Sequence, residues 1–290
     1  MSAIPPDALS TPKSAAPAAG RRRSPWPIGL IAGVMIVAVV VLAGLLAPWL
    51  APDEPTAQDL AHALAGPSAA HWFGTDALGR DILTRILFGA RFELFVVIPT
   101  VLVALAMAFP IGISAGYLGR WVDRVITMAS DTVLTFPSLV VAIGVVAVLG
   151  TGTWPLIITL LITQIPPLVR YIRGFTSQVA GAEFMVAARA TGSSALSIMG
   201  RHVTRNIIGN VVVVTSLFAS EAVLIIAALG FLGIGVQPPA AEWGTMLSEG
   251  RVDFMAHPHV MVFPGLAIAV LILGFNLASD GLRDRLDTSR

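Results

Sequence analysis

Ile28–Leu50 runs for 23 residues without a charged side chain, and four more such stretches follow at 94–119, 132–169, 206–220 continued by 222–241, and 254–279. A helix needs about 20 apolar residues to cross a hydrocarbon core, so each stretch is long enough to span a bilayer. The 38-residue stretch 132–169 is too long for one crossing, and Gly150-Thr-Gly-Thr-Trp-Pro155 divides it into two helices joined by a tight turn. Six spans are expected, at about 28–50, 92–117, 125–149, 154–174, 208–234 and 259–281. Charged residues make up only 12% of the chain, where soluble domains carry about 25%. A soluble enzyme is excluded, and the fold class is an all-α membrane protein.

The first span exceeds the core of a signal peptide, and Ala47-Pro48-Trp49 is a poor match to a small-residue cleavage site, so a retained helix is expected. Residues 1–27 are Pro, Ala and Ser ending in three arginines and are expected to be disordered. Residues 51–91 read as an external loop ending in a short amphipathic helix over 81–92, residues 92–281 as the main transmembrane domain, and 282–290 as a cytoplasmic tail. Prolines 99, 110, 137, 166, 167 and 264 mark kinks within the spans.

With the N-terminus inside, 14 of the 18 Lys and Arg residues fall on the inner side, and only Arg80, Arg85, Arg91 and Arg251 fall outside. Positive charge is retained in the cytoplasm, so both termini are expected there. Lys13 is the only lysine. A P-loop needs a lysine after a glycine-rich turn, so this chain carries no standard Walker A site, and any ATP is hydrolysed by another subunit. The absence of cysteine removes disulfides, thiolate metal sites and cysteine catalysis. No catalytic residue, metal site or cofactor is assigned to this chain, and no nucleic-acid partner is expected.

The longest cytoplasmic loop, 175–205, is more than a connection. Glu183-Phe-Met-Val-Ala-Ala-Arg-Ala-Thr191 is built of helix formers, Gly192 is a natural stop, and Ser193-Ser194 can cap a second helix leading into the fifth span. A helix-turn-helix outside the bilayer is either a docking surface or an idle interfacial helix.

Val186-Ala-Ala-Arg-Ala-Thr-Gly192 resembles the Glu-Ala-Ala, three residues, Gly signature of permease subunits of ATP-binding-cassette importers. Val186 stands at the Glu position, and the signature's closing Ile-x-Leu-Pro falls on His202-Val-Thr-Arg205. Flanking blocks strengthen the likeness: His71-Trp-Phe-Gly-Thr-Asp-Ala-Leu-Gly-Arg-Asp81, Gly89-Ala-Arg91, Phe136-Pro-Ser138, Ala228-Leu-Gly-Phe-Leu-Gly-Ile-Gly235, Glu242-Trp-Gly-Thr-Met-Leu247 and Phe275-Asn276. They resemble the dipeptide, oligopeptide and nickel branch, specifically its second permease. The resemblance implies a type I importer permease fold, in a multi-pass protein of the bacterial inner membrane, with a cytoplasmic coupling helix at Glu183, Val186, Ala187, Ala188 and Gly192. It implies a homologous second permease, two ATPase subunits that bind ATP and Mg, and an external solute-binding protein. The implied cargo is short peptides, with nickel or another small solute as the alternative.

Two carboxylates fall more than two residues inside the ends of the expected spans. Asp131 lies near the inner end of the third span, where it either lines a path or reaches back to the interface. Glu221 lies near mid-membrane, where a carboxylate is costly and is by default functional. Both are translocation-path candidates, and they keep open a different class, an ion-coupled secondary transporter. His257-Pro-His259 lacks a third ligand and reads as an exposed turn. Residues 235–247, punctuated by Pro-Pro and Trp-Gly, read as an external re-entrant segment.

Overall fold

The computed structural model describes residues 28–288, with side chains through residue 286. Residues 1–27 and 289–290 lie outside the described residues, and with them the expected disorder of the amino end and five of the counted cations. The helices are α1 (Ile28–Leu50), α2 (Ile82–Leu118), α3 (Arg120–Leu134), α4 (Ser138–Leu149), α5 (Thr153–Ala180), α6 (Glu183–Ala190), α7 (Ala195–Ser197), α8 (Thr204–Phe231), α9 (Trp243–Gly250) and α10 (His259–Thr288). A π-helical turn, Ile198–Val203, fuses α7 to α8, so the two form one apolar rod of 37 residues. Five helices are long and apolar enough to cross a membrane, and α3 with α4 makes a sixth crossing if that bent pair is one span.

Several expected boundaries move. Asp81 caps α2 by accepting the Thr84 N–H at 2.7 Å, so residues 82–91 belong to a helix that continues unbroken through Pro99 and Pro110. The short helix expected over 81–92 is the start of that 37-residue helix, and the external loop closes at residue 81. At 1.5 Å per residue α2 is about 55 Å long, against a hydrocarbon core of about 30 Å, so it extends beyond the bilayer. The span expected at 125–149 is two helices bent by 82° around Thr135, Phe136 and Pro137. Residues 282–288 continue α10 and are not a separate tail.

The direction of α3 follows from its ion pairs with α5. Asp123 accepts from the Arg173 guanidinium, and Asp131 lies 3.8 Å from Arg170. Eight residues along α3, about 12 Å, therefore match three along α5, about 4.5 Å, so α3 crosses α5 obliquely. α4 continues beyond the bend, and its 12 residues bury just Ala142 and Val146.

α2 packs along α5, and α1 along both α10 and α2. Two apolar clusters result. The outer one joins Ile82, Val97, Leu156, Leu160, Ile226, Trp243 and Leu271. The inner one joins Ala108, Ile113, Leu168, Ile172, Met185, Ile198, Ile207, Val211 and Phe218. Hydrogen bonds add specificity between helices where lipid offers no partner: Gln164 Nε2 donates to the Phe218 carbonyl at 3.0 Å, Ser279 Oγ donates to the Val213 carbonyl at 2.9 Å, and Ser220 Oγ lies 3.1 Å from Asn276 Oδ1.

Candidate functional site

The helix α6, in the segment expected to face the cytoplasm, is short, exposed and closed at both ends. Glu183 stands in its first turn and Arg189 in its last, complementing the helix dipole. Gly192 has φ 79°, its N–H donates to the Arg189 carbonyl at 3.0 Å, and the Ser193 N–H donates to the Ala188 carbonyl at 3.3 Å. This is a Schellman stop, and the left-handed residue it requires is glycine. Ser194 Oγ then accepts from the Ser197 N–H at 3.3 Å and starts the next helix.

Met185 is the one buried side chain of α6, and it joins the inner cluster. Glu183, Phe184, Val186 and Ala187 are exposed, while Ala188 is half-buried against that cluster. Arg189, to which no local sequence pattern gives a role, ties the helix down. Its Nη2 donates to the Ala180 carbonyl at 2.8 Å, its Nε donates to the Met185 carbonyl at 3.2 Å, and its guanidinium stands 5.9 Å from the Tyr117 ring centroid. Where the signature's closing proline is missing, the π turn takes the chain into α8, with Thr204 Oγ1 donating to the Met199 carbonyl at 3.0 Å.

Glu221 is exposed on this single chain. It shares a helical stripe with Asn206, Asn210, Leu217 and Leu224, at spacings of four, seven, four and three, and all but the half-buried Asn210 are exposed. The opposite exposed face of α8 carries Ile208 and Val212 and is apolar. Lipid suits the second face and not the first. Asp131 is also exposed and lines one open groove along α3 that Arg120, Arg124 and Arg173 line as well. Glu221 and Asp131 belong to different helices, and no hydrogen bond or ion pair joins them among the described residues.

The outer end is held by groups whose partners are distant in sequence. Asp76 Oδ2 accepts from Arg80 Nε and Arg85 Nη1, each at 2.6 Å; Glu249 Oε2 accepts from Arg80 Nη2 at 2.9 Å and Arg85 Nη1 at 2.8 Å. Asp81, besides capping α2, meets His71 Nδ1 at 3.0 Å. Glu242 caps α9, accepting from the Gly244 and Thr245 N–H groups at 2.6 Å and from Thr245 Oγ1 at 2.8 Å. Burial pushes its carboxyl above the ordinary range, against the pull of those hydrogen bonds. Trp243 Nε1 donates to the Ile86 carbonyl at 3.0 Å, and the indole lies against Gly89. The segment expected to be re-entrant thus ends in α9, which packs on α8 and α10 and reaches α2 through Trp243 and Glu249. His259 Nε2 lies 3.2 Å from the Thr75 carbonyl, which accounts for one member of the histidine pair.

These features define a polytopic helical membrane subunit with a short exposed helix tied into its core through Met185. Residues 108–290 match the family described as binding-protein-dependent transport system inner membrane component, and the chain belongs to that family. It is 40% identical over 257 residues to the dipeptide transport system permease protein DppC of Alkalihalophilus pseudofirmus, covering 89% of this chain and 84% of that protein. It is 38% identical over 276 residues to the glutathione transport system permease protein GsiD of Pectobacterium atrosepticum, covering 91% of each, and 39% identical with the same coverage to GsiD of Escherichia coli. The fold is that of type I ABC importer permeases, the chain is a membrane permease subunit and not an enzyme, and ATP hydrolysis belongs to separate subunits. Importers of this family work with an ATPase and a binding protein.

Proposed function

We propose that this chain forms one half of the translocation path of an importer for di- or oligopeptides, paired with a homologous permease. Two cytoplasmic ATPases drive it, an external solute-binding protein supplies it, and both termini face the cytoplasm. Relatives named for dipeptide and glutathione transport support the cargo, glutathione being itself a tripeptide. The polar stripe through Glu221 supports a face turned to the path. The bare apolar bend at Phe136, Leu139, Val140 and Ile143 supports a second permease packed there.

The observation that carries the reading is α6. Phe184 and Val186 are 46% and 59% exposed, an apolar surface on a helix outside the bilayer that suits a groove on an ATPase. Ala187 and Ala188 allow close approach of the backbone, and Gly192 ends the helix. A push on α6 reaches the core through Met185, which shares one packed cluster with Ile198, Val203, Ile207, Val211 and Phe218, the last only three residues from Glu221. The test is Gly192→Val in the assembled transporter. A β-branched residue at φ 79° is strained by about 1–3 kcal/mol, so the helix stop should distort and uptake should fall while the chain stays in the membrane. Uptake at the wild-type rate would remove α6 from the coupling role.

A further inference from the structure

Between the outer part of α2, the first turn of α5 and the 237–241 loop lies an open cleft of about 720 Å³. Its α2 wall is Phe88, Arg91, Phe92 and Phe95, at positions i, i+3, i+4 and i+7 of one helix face, with Gln237 among the loop residues that line it. Among the described residues, Arg91 is the only ionisable one lining the cleft. Arg80 and Arg85 are neutralised by Asp76 and Glu249, but the Arg91 side chain has no hydrogen bond or ion pair among the described residues. Its guanidinium stands 5.8 Å from the Phe95 ring centroid.

The backbone at Arg91 is held firmly. A Cβ on Gly44 of α1 would lie 2.8 Å from the Arg91 nitrogen, so the two helices meet at that point. Gly44 is six residues from the outer end of α1, about 9 Å. Arg91 therefore sits below the outer end of an apolar helix, where an unpaired guanidinium facing lipid would be costly and one facing a wet cleft is not.

We infer that this cleft is a subsite for the C-terminal residue of an entering peptide, an inference that rests on the peptide reading above. Arg91 takes the terminal carboxylate in its planar fork, and the phenylalanine rings take an apolar side chain. The same cation repels a free α-amino group, so the peptide enters with its amino end directed away from Arg91.

The test is uptake of radiolabelled Ala-Ala-Phe and of its C-terminal amide by the complete transporter, in wild-type and Arg91→Gln forms. The wild type should prefer the free acid by about tenfold, the worth of one charge-assisted pair, and Arg91→Gln should bring that ratio close to one while Arg91→Lys keeps most of it. A wild-type ratio retained by Arg91→Gln overturns the subsite. Import of neither peptide by the wild type overturns the peptide reading itself. If Arg91→Gln fails to reach the membrane, a Thr153→Cys chain decides, since Thr153 lines the cleft and the native chain has no cysteine. The free acid should slow its labelling by an impermeant maleimide and the amide should not; equal rates with both overturn the proposal.

Discussion

Arg85 is 1% exposed, and its Nη1 stands between Asp76 and Glu249 at 2.6 and 2.8 Å. Charges this deeply buried are held by their partners, and removing one strands the others. Arg85→Met should lower the unfolding midpoint of the detergent-solubilised protein, corresponding to about 3 kcal/mol, with Arg80 still neutralising part of the acidic charge. Adding Glu249→Leu should recover part of the loss, because the uncompensated carboxylate is then gone. An unchanged midpoint in the single variant would mean that water solvates the cluster. Asp76, Arg80 and Asp81 stood out in the sequence as one block, and the capping role of Asp81 follows from its place before an apolar helix. That Glu249 completes the network was not legible, since 164 residues separate it from Arg85 and no local pattern links them.

Helices read from uncharged runs were recovered where burial in lipid is the only constraint, as with α1. They were misread where packing or bending intervenes. Residues 81–92, with Asp81, Arg85 and Arg91, read as a short amphipathic helix apart from the span, yet the capping carboxylate of Asp81 and the contact with Trp243 belong to one helix that runs unbroken from Ile82 to Leu118. Gly89 permits that contact: a Cβ there would fall inside the Trp243 indole, within 2.5 Å of Cδ1. Gly89→Val should push α9 away from α2 and lower the unfolding midpoint, with overpacking of this kind costing about 1–3 kcal/mol. Trp243→Ala in the same chain should relieve the clash, seen as a smaller combined loss than the sum of the two single variants; strict additivity would place the strain elsewhere. Pro137 marked a kink; the bend there is 82°, with α3 tied across α5 by Asp123 and Arg173.

For the whole chain, the charge asymmetry and the helix order make a directional prediction. Leu196 is 77% exposed beside the α6 turn, and Val252 is 84% exposed just after α9, on the opposite side in the six-span arrangement. With no native cysteine, Val252→Cys should react with an impermeant maleimide added to intact cells, and Leu196→Cys only after the membrane is opened. Reversed labelling would invert the orientation drawn from the 14 to 4 split.

Composition and the length of the uncharged runs by themselves determined a membrane protein, about six crossings and a helical fold, because a bilayer leaves backbone polar groups no other partner. The run of helix formers from Glu183 and the position of Gly192 likewise marked α6 and its stop, since a left-handed residue is a local requirement. Only the tertiary structure decided which charges are quenched and which stay free. Arg80, Arg85 and Arg91 look alike in sequence, three outer arginines within twelve residues. Folding brings Glu249 to the first two and an aromatic cleft to the third. That outcome depends on α9 docking beside α2 and on the 237–241 loop closing over its outer end, contacts between segments roughly 150 residues apart that no local periodicity encodes.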